Sequence, residues 1–241
     1  MQKFNAMIKK HIPNAITCCN LICGCVSVLF LCYSHVLWAA AMIFAAAVFD
    51  FLDGLAARIL DVKSPFGAEL DSLSDLVSFG VAPSFIVAWF LGRTDIEWWI
   101  HNFNAFTVLA FILAVFAAVR LAKFNLDPRQ TESFIGLPVP AVGLFIASLP
   151  FMLFHIGYKS ALYNFVVNPY FLLAMVVIFS WLMVSEVPFF SYKFKNLKFK
   201  DNVLRYFVVI FAIVAIIILQ WTALPLIFLF YILLSIICYR G

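Results

Sequence analysis

The feature that most constrains this chain is a series of about eight apolar runs, each near twenty residues long. A helix needs about 20 mostly apolar residues to cross the hydrocarbon core of a bilayer. Only helices and closed barrels satisfy their backbone hydrogen bonds there. The runs lie near residues 14–33, 36–60, 71–92, 103–124, 138–157, 168–184, 203–220 and 223–240. We therefore expect an all-α protein, a polytopic membrane helix bundle of about eight transmembrane helices.

The composition excludes an ordinary soluble domain, because 66% of the 241 residues are hydrophobic and only 12% are charged. No long linker, low-complexity tract or internal repeat separates the apolar runs. We expect residues 1–241 to form a single integral-membrane domain. The six cysteines all fall within the runs, where cysteine behaves as a small apolar residue.

The distribution of lysine and arginine predicts the orientation of the bundle. If the runs cross alternately, fourteen of the sixteen lie on the side of the N-terminus, and only Arg93 and Lys159 lie on the other. Basic loops stay in the cytoplasm, so we expect both termini there and the protein in the cell (inner) membrane. The net charge of +4 then reflects topology and indicates no nucleic-acid partner. The segment "KFKNLKFK", residues 193–200, either contacts anionic membrane lipids or only anchors this topology.

One stretch, residues 49–80, places carboxylates inside apolar sequence, where they are costly and usually functional. Helical spacing puts one set of polar and small residues on a single face of the second run: Asp50, Asp53, Gly54, Ala57 and Arg58. The same spacing gives a second face on the third run: Gly67, Asp71, Ser74, Asp75 and Ser78.

These two faces are expected to meet at one depth in the membrane. Asp50 lies eight residues from Arg58 and Asp75 lies eight from Gly67, which is about 12 Å along each helix. Carboxylates that face each other repel unless cations bridge them, and hard divalent cations prefer oxygen ligands. A pair of such ions suits phosphoryl transfer. The glycines either admit a nucleotide or diphosphate to the backbone or simply allow close helix packing.

The pattern D-x2-D-G-x2-A-R-x8-G-x3-D-x3-D, from Asp50 to Asp75, resembles the signature of the CDP-alcohol phosphotransferase family at all eight fixed positions. The first six runs, about residues 12–184, resemble the family's six-helix catalytic core, and two additional helices follow at about 203–240. The resemblance implies transfer of a phosphoryl-alcohol group from a CDP-linked donor to a hydroxyl, with release of CMP. It also implies a homodimer and a cytoplasmic site with two divalent cations, Mg²⁺ or Mn²⁺.

The resemblance also implies roles for individual residues. The metal ligands would be Asp50, Asp53, Asp71 and Asp75, and Asp75 would also act as the catalytic general base. The nucleotide-binding residues would be Gly54, Ala57, Arg58 and Gly67. Asn14 and Thr17, in the segment "IPNAIT", resemble positions that face the cytidine, although Asn14 also suits the N-cap of the first helix.

Three further segments bear on the acceptor: "RLAKFN" (120–125), "FIGLPVPA" (134–141) and "SEVPFFSYK" (185–193). They resemble family members that use CDP-diacylglycerol as donor and L-serine as acceptor. The carboxylate of serine requires a cation, for which Arg120 together with Asn125 is the candidate. Glu186 is the candidate for the serine ammonium group. Alternatively, Arg120 only snorkels to the inner membrane surface beside Lys123.

Two alternatives remain open at the level of sequence. One is a phosphatidylglycerophosphate synthase or another CDP-alcohol phosphotransferase, whose glycerol phosphate acceptor is a dianion and requires a more cationic pocket. The other is a cation transporter that uses the aspartates as ion ligands. A transporter requires polar residues across the whole bilayer, whereas the runs become apolar beyond Asp50 and Asp75.

Overall fold

A computed structural model describes residues 2–62, 64–94, 99–100, 103–127, 134–189 and 203–238, which are almost entirely helical. The α-helices in chain order are α1 (Gln2–Cys32), α2 (Val36–Ile59), α3 (Pro65–Asp75), α4 (Ala82–Leu91), α5 (Ile112–Leu126), α6 (Val139–Ile156), α7 (Ala161–Val167), α8 (Pro169–Val184), α9 (Val203–Leu219) and α10 (Ala223–Cys238). A π-helical segment, Leu76–Val81, joins α3 to α4, and 3₁₀ segments lie at Ala105–Phe111 and Gln220–Thr222. Four two-residue strands form two antiparallel pairs. Strand β1 (Trp99–Ile100) pairs with β2 (Phe103–Asn104), and β3 (Phe134–Ile135) pairs with β4 (Pro188–Phe189).

The described helices confirm a polytopic membrane bundle. Six stretches are long and apolar enough to cross a membrane, and α7 with α8, bent by 57°, forms a seventh if the pair counts as one span. The last of the six, Phe207–Ser235, contains both α9 and α10. The chain folds back between them, because the Phe211 and Phe230 rings stack with centroids 4.0 Å apart. A straight helix would separate these positions by about 28 Å. Counted as two crossings, this hairpin gives the eight helices expected from the sequence.

Two helix starts differ from the sequence prediction. Helix α1 begins at Gln2, well before residue 14, so Asn14 lies inside the helix and is not its N-cap. Helix α3 begins at Pro65 instead of residue 71. The Ser64 hydroxyl there accepts a hydrogen bond from the Gly67 N–H at 3.0 Å, and proline occupies the first helical position. The charged residues in the first turns of α3 concealed this start from a search for apolar runs.

The π-helical segment lies at the centre of the bundle, directly after Asp75. A Cβ atom added to Gly24 of α1 would lie 2.8 Å from the Cα of Ser78. One added to Gly143 of α6 would lie 2.9 Å from the Cα of Phe79. Both glycines therefore let their helices pack directly on this backbone, as small residues do in membrane proteins. This close packing fixes the position of Asp75 relative to α1.

The interior beyond the π-helical segment is mostly apolar, and the buried Ser84 and Ser148 donate their hydroxyl hydrogen bonds to backbone carbonyls. Ile43, Phe79, Ile86 and Ile146 are at most 1% exposed, and they fill the space between α2, the π-helical segment, α4 and α6. The outward faces of α9 and α10 carry exposed aliphatic side chains, as surfaces in contact with lipid do. Among the described residues, the buried charged side chains Asp53, Asp75 and Arg120 lie toward one end of the bundle.

Candidate active site

Three carboxylates from two helices form a cluster at that end. Asp50 and Asp53 extend from α2 and Asp71 extends from α3, and one oxygen atom of each lies within 4.8 Å of the others. Asp53 is buried, and the other two are partly buried. The two polar faces recognised from helical spacing therefore face each other in the folded chain.

The cluster has the donor set that a hard divalent cation requires. Oδ2 of Asp53 and Oδ1 of Asp71 are buried and accept no hydrogen bond from the described residues. Buried carboxylate oxygens without a partner are costly, and neighbouring carboxylates repel each other. A divalent cation with oxygen ligands would remove both costs. The residues therefore fit the metal site that the sequence predicts.

Asp75 is buried beside this cluster but is not one of its three members. Its Oδ1 accepts a hydrogen bond from Nδ2 of Asn20 at 3.2 Å, and its charge interacts with those of Asp50 and Asp71. The backbone carbonyl of Asn20 in turn accepts a hydrogen bond from the Ser78 hydroxyl at 2.9 Å. Asp75 is therefore linked through Asn20 to both α1 and the π-helical segment.

Asn20 is a site residue that the sequence analysis missed. It is fully buried, and its Oδ1 has no hydrogen-bond partner among the described residues. A signal was present, because the polar and small residues of the first run recur on one helical face: Asn14, Thr17, Asn20, Gly24 and Ser27. A polar face on a helix inside a membrane indicates contact with other polar groups, which here include Asp75.

A cavity of about 300 Å³ adjoins the carboxylate cluster. Its lining comes from α1, α2, α3 and the α2–α3 loop: Pro13, Asn14, Thr17, Asp53, Gly54, Ala57, Val62, Ser64, Gly67, Ala68 and Asp71. Five of the six predicted nucleotide-binding residues are in this lining. A Cβ atom at Gly67 would lie 3.0 Å from both Asn14 Oδ1 and Ser64 Oγ, so a larger residue would narrow the cavity.

Arg58, the sixth predicted nucleotide-binding residue, lies at the edge of this region. Its side chain is exposed and is not part of the cavity lining. Its Nε donates a hydrogen bond to the Gly54 carbonyl at 2.8 Å, which holds the guanidinium beside the cavity.

The predicted acceptor residues are separated in the structure. Arg120 is only 6% exposed, so it does not snorkel to the surface, and its Nε and Nη2 have no hydrogen-bond partner among the described residues. Its guanidinium lies over the Phe124 ring, 4.9 Å from the centroid, and within electrostatic range of Asp75. Asn125 is exposed and donates to the Ser72 hydroxyl at 3.0 Å. The two were paired from sequence, but positions five apart on a helix point in directions about 140° apart.

Glu186, the candidate for the ammonium group, is exposed between α8 and β4 and does not line the cavity. A larger cavity, about 340 Å³, lies at the opposite end of the bundle near the α1–α2 turn. Aromatic residues such as Trp38, Trp89 and Tyr163 line it, and its lining contains no carboxylate. The smaller cavity beside the aspartates is therefore the better candidate for the active site.

Comparison with known proteins agrees with this location. The family model described as CDP-alcohol phosphatidyltransferase matches residues 10–190, which include the four aspartates of the site and the cavity lining. The CDP-diacylglycerol–serine O-phosphatidyltransferase of Bacillus subtilis (strain 168) is 34% identical over 189 residues, which cover 76% of this chain and 92% of the relative. The protein of the same name from Methanocaldococcus jannaschii is 31% identical over 183 residues, covering 75% and 74%. That of Helicobacter pylori (strain J99) is 34% identical over 137 residues, covering 56% and 54%.

Proposed function

Because this chain belongs to the CDP-alcohol phosphatidyltransferase family, we propose that it is a phosphatidylserine synthase, a CDP-diacylglycerol–serine O-phosphatidyltransferase. In this reaction the phosphatidyl group of CDP-diacylglycerol passes to the hydroxyl of L-serine, giving phosphatidylserine and CMP. The observation that carries the proposal is the cluster of Asp50, Asp53 and Asp71 beside a cavity of about 300 Å³.

The cavity is the binding site that we assign to the CDP part of the donor. Its small residues, Gly54, Ala57 and Gly67, leave room for a nucleotide against the backbone of α2 and α3. Asn14 and Thr17 approach the same space from α1 and would contact the cytidine. Arg58 lies at the edge, where its planar guanidinium would contact a diphosphate oxygen.

Asp50, Asp53 and Asp71, together with Asp75, would hold two divalent cations, Mg²⁺ or Mn²⁺. Bound ions of this kind neutralise a diphosphate and the charge that develops during phosphoryl transfer.

Asp75 is the general base in this proposal. Asn20 donates to its Oδ1, so the remaining oxygen is left to receive the hydroxyl proton of serine. A bond forms between the serine oxygen and the phosphorus that bears the diacylglycerol, the bond from that phosphorus to the CMP oxygen breaks, and the proton leaves to solvent. Neither Asp75 nor Arg120 lines the donor cavity. An acceptor bound beside these two residues would therefore approach from outside the nucleotide cavity, as in-line displacement requires.

Arg120 supports serine as the acceptor. Its buried Nε and Nη2 have no partner among the described residues, and together they suit a carboxylate bound by two parallel hydrogen bonds. Its guanidinium also lies within electrostatic range of Asp75. Serine is a zwitterion, so a site with one cation beside carboxylates suits it. Glycerol phosphate is a dianion and requires more positive charge. The interior that Ile43, Phe79 and Ile86 fill argues against a cation transporter, because beyond the aspartates the described residues bury no charged side chain there.

The direct test is incorporation of radiolabelled L-serine into lipid by the purified protein, with and without CDP-diacylglycerol. We expect labelled phosphatidylserine and an equal amount of CMP only when the donor is present. Glycerol 3-phosphate, assayed in parallel, should release little CMP. A preference for glycerol 3-phosphate would contradict the acceptor assignment, and cation flux through liposomes without CMP release would contradict the enzymatic one.

The chain is an integral membrane protein, and we place it in the cell membrane with the active site and both termini in the cytoplasm. The support is the charge bias of the sequence, since the basic residues that favour the cytoplasmic side include Arg58, beside the cavity. Labelling of an Asp61→Cys variant whose native cysteines are replaced by alanine tests this orientation in right-side-out and inverted vesicles, and we expect a charged thiol reagent to react only in inverted vesicles. The homodimer implied by the family resemblance stays a prediction, which the mass of the detergent-solubilised protein tests.

A further inference from the structure

Asn20 carries a buried oxygen whose role the hydrogen bond to Asp75 does not explain. Asn20 is fully buried in α1, and its Nδ2 donates to Oδ1 of Asp75 at 3.2 Å. An ionised carboxylate only accepts hydrogen bonds, so this contact fixes the amide with Nδ2 toward Asp75 and Oδ1 directed away from it. That Oδ1 accepts no hydrogen bond from the described residues. A buried acceptor without a donor is costly and rare in folded proteins, so its donor is expected to come from a ligand.

The hydroxyl groups nearest to Asn20 in the fold cannot supply this donor. Thr17, one turn earlier on the same face of α1, donates its hydroxyl to the Pro13 carbonyl at 3.0 Å. The Ser78 hydroxyl donates to the backbone carbonyl of Asn20 at 2.9 Å. A hydroxyl group has a single proton to donate, so both are already used. The donor for Oδ1 therefore has to come from a bound molecule.

The amide is held in a fixed place beside the proposed site. A Cβ atom added to Gly24 would lie 2.8 Å from the Cα of Ser78, so this part of α1 packs directly on the π-helical segment. Thr17 lines the donor cavity, and Asn20 follows it by one turn, about 4.5 Å along the helix. Asn20 thus adjoins both the cavity lining and Asp75, which is the general base of the proposed reaction.

The chemistry of the acceptor indicates which group this oxygen binds. In the proposed reaction the serine hydroxyl meets Asp75 and the carboxylate meets Arg120, but the ammonium group has no partner. Glu186, the residue expected from sequence, is exposed and does not line the cavity. Serine carries its ammonium group on the carbon next to the one that bears the hydroxyl. Oδ1 of Asn20 shares a carbon with the Nδ2 that contacts Asp75, so one small acceptor is able to reach both side chains.

We propose that Asn20 binds the ammonium group of the acceptor through its Oδ1 and thereby selects an amino acid as the acceptor. The inference rests on the proposed function and deepens it, because it assigns the one group of serine that the proposal leaves without a partner. An ammonium group is a donor with no acceptor, which is the partner that an amide oxygen requires. Glycerol 3-phosphate has no such group and would leave Oδ1 without this charge-assisted hydrogen bond.

The test compares L-serine with 3-hydroxypropanoate, which is serine without its ammonium group. We expect the kcat/KM of the wild-type protein to be at least tenfold higher for serine, the effect of one hydrogen bond to a charged group. In Asn20→Ala this preference should shrink at least about fivefold. Loss of the hydrogen bond to Asp75 slows the reactions of both acceptors alike, so it cancels when the two kcat/KM values are divided.

Ser27→Ala is the matched control. Ser27 is fully buried on the same face of α1, and its hydroxyl donates to the Ala39 carbonyl at 2.8 Å, so the variant also removes a buried polar group. Its preference for serine should equal that of the wild type. Asn20→Ser is a second variant, which keeps a small polar side chain that is too short to replace the amide, and it should lose the preference as Asn20→Ala does.

The KM for CDP-diacylglycerol and the affinity for Mn²⁺ should stay within about twofold of the wild-type values in Asn20→Ala. The reason is that Asn20 belongs neither to the cavity lining nor to the carboxylate cluster. A large rise in the donor KM, or much weaker Mn²⁺ binding, would assign Oδ1 to the donor or to a metal ion and overturn the inference.

Three other results would also overturn it. The first is a wild-type preference for serine in both Asn20 variants, as expected if Oδ1 holds only a water molecule. The second is an equal loss of preference in Ser27→Ala, and the third is failure of both Asn20 variants to fold, which would give the amide a structural role. These failures differ from failure of the proposed function, which appears in the wild-type protein as an absence of serine-dependent CMP release.

Discussion

Replacing Asp53 with asparagine should stabilise the metal-free protein and reduce the stabilisation that divalent cations provide. The oxygens of Asp50, Asp53 and Asp71 lie within 4.8 Å of one another, so each pair of ionised carboxylates repels by about 3 kcal/mol at an effective dielectric constant of about 20. The substitution removes two of the three pairs in this cluster. Without cations it should therefore relieve at most about 6 kcal/mol of repulsion, and the melting temperature should rise by several degrees.

With cations present the advantage of the variant over the wild type should shrink. A ligand at one hundred times its Kd stabilises the folded wild-type protein by about 2.7 kcal/mol, and a site that lacks one carboxylate binds more weakly and gains less. The wild-type melting temperature should thus rise on addition of Mn²⁺ by more than that of Asp53→Asn.

The assay is thermal unfolding of the purified proteins in detergent, first in chelator and then in Mn²⁺. Asp61→Asn is the matched control, because Asp61 is an exposed loop residue with φ of 51°, a conformation that asparagine tolerates. It should have little effect in either condition. An equal rise in melting temperature on addition of Mn²⁺ for the wild type and Asp53→Asn, or equal behaviour of the two variants, would refute the reasoning.

Three further predictions concern catalysis. Asp75→Asn preserves an oxygen that accepts the Asn20 hydrogen bond, so the protein should still fold and bind CDP-diacylglycerol. Its kcat should fall at least about 10³-fold, and turnover near the wild-type rate would reject Asp75 as the base. Asn20→Ala removes that hydrogen bond, and we expect kcat to fall about tenfold with the donor KM unchanged, whereas an unchanged kcat would show that Asp75 needs no such support. Gly67→Ala places a methyl group 3.0 Å from Asn14 Oδ1 and Ser64 Oγ. The KM for CDP-diacylglycerol should therefore rise at least fivefold, with little change in the KM for serine. Unaltered donor kinetics would contradict the assignment of the nucleotide to this cavity.

The sequence predicts the bundle and the carboxylate cluster because both follow from fixed helical geometry. Apolar runs of about twenty residues identify the crossings, and the 3.6-residue period places Asp50 and Asp53 on one face of α2. The short link from α2 to α3 then brings Asp71 to the same depth. Each of these steps depends on residues that are close in the chain.

Contacts between distant segments could not be predicted in the same way. Nothing near Asn20 in the chain indicates that it bonds to Asp75, 55 residues away. Likewise, the burial of Tyr231 depends on the α9–α10 hairpin folding against the core. The pairing of Arg120 with Asn125 failed for the opposite reason, because proximity in sequence does not place two residues on the same side of a helix.

The measurement that tests the central claim most directly is Mn²⁺ binding to the metal-free protein, followed by electron paramagnetic resonance. We expect two ions per wild-type chain in the presence of CDP, weaker binding in both Asp50→Asn on α2 and Asp71→Asn on α3, and wild-type binding in Asp61→Asn. Weaker Mn²⁺ binding in both variants would show that carboxylates of both helices hold the ions jointly. Wild-type affinity in either cluster variant, or no bound Mn²⁺ in the wild-type protein, would contradict the account.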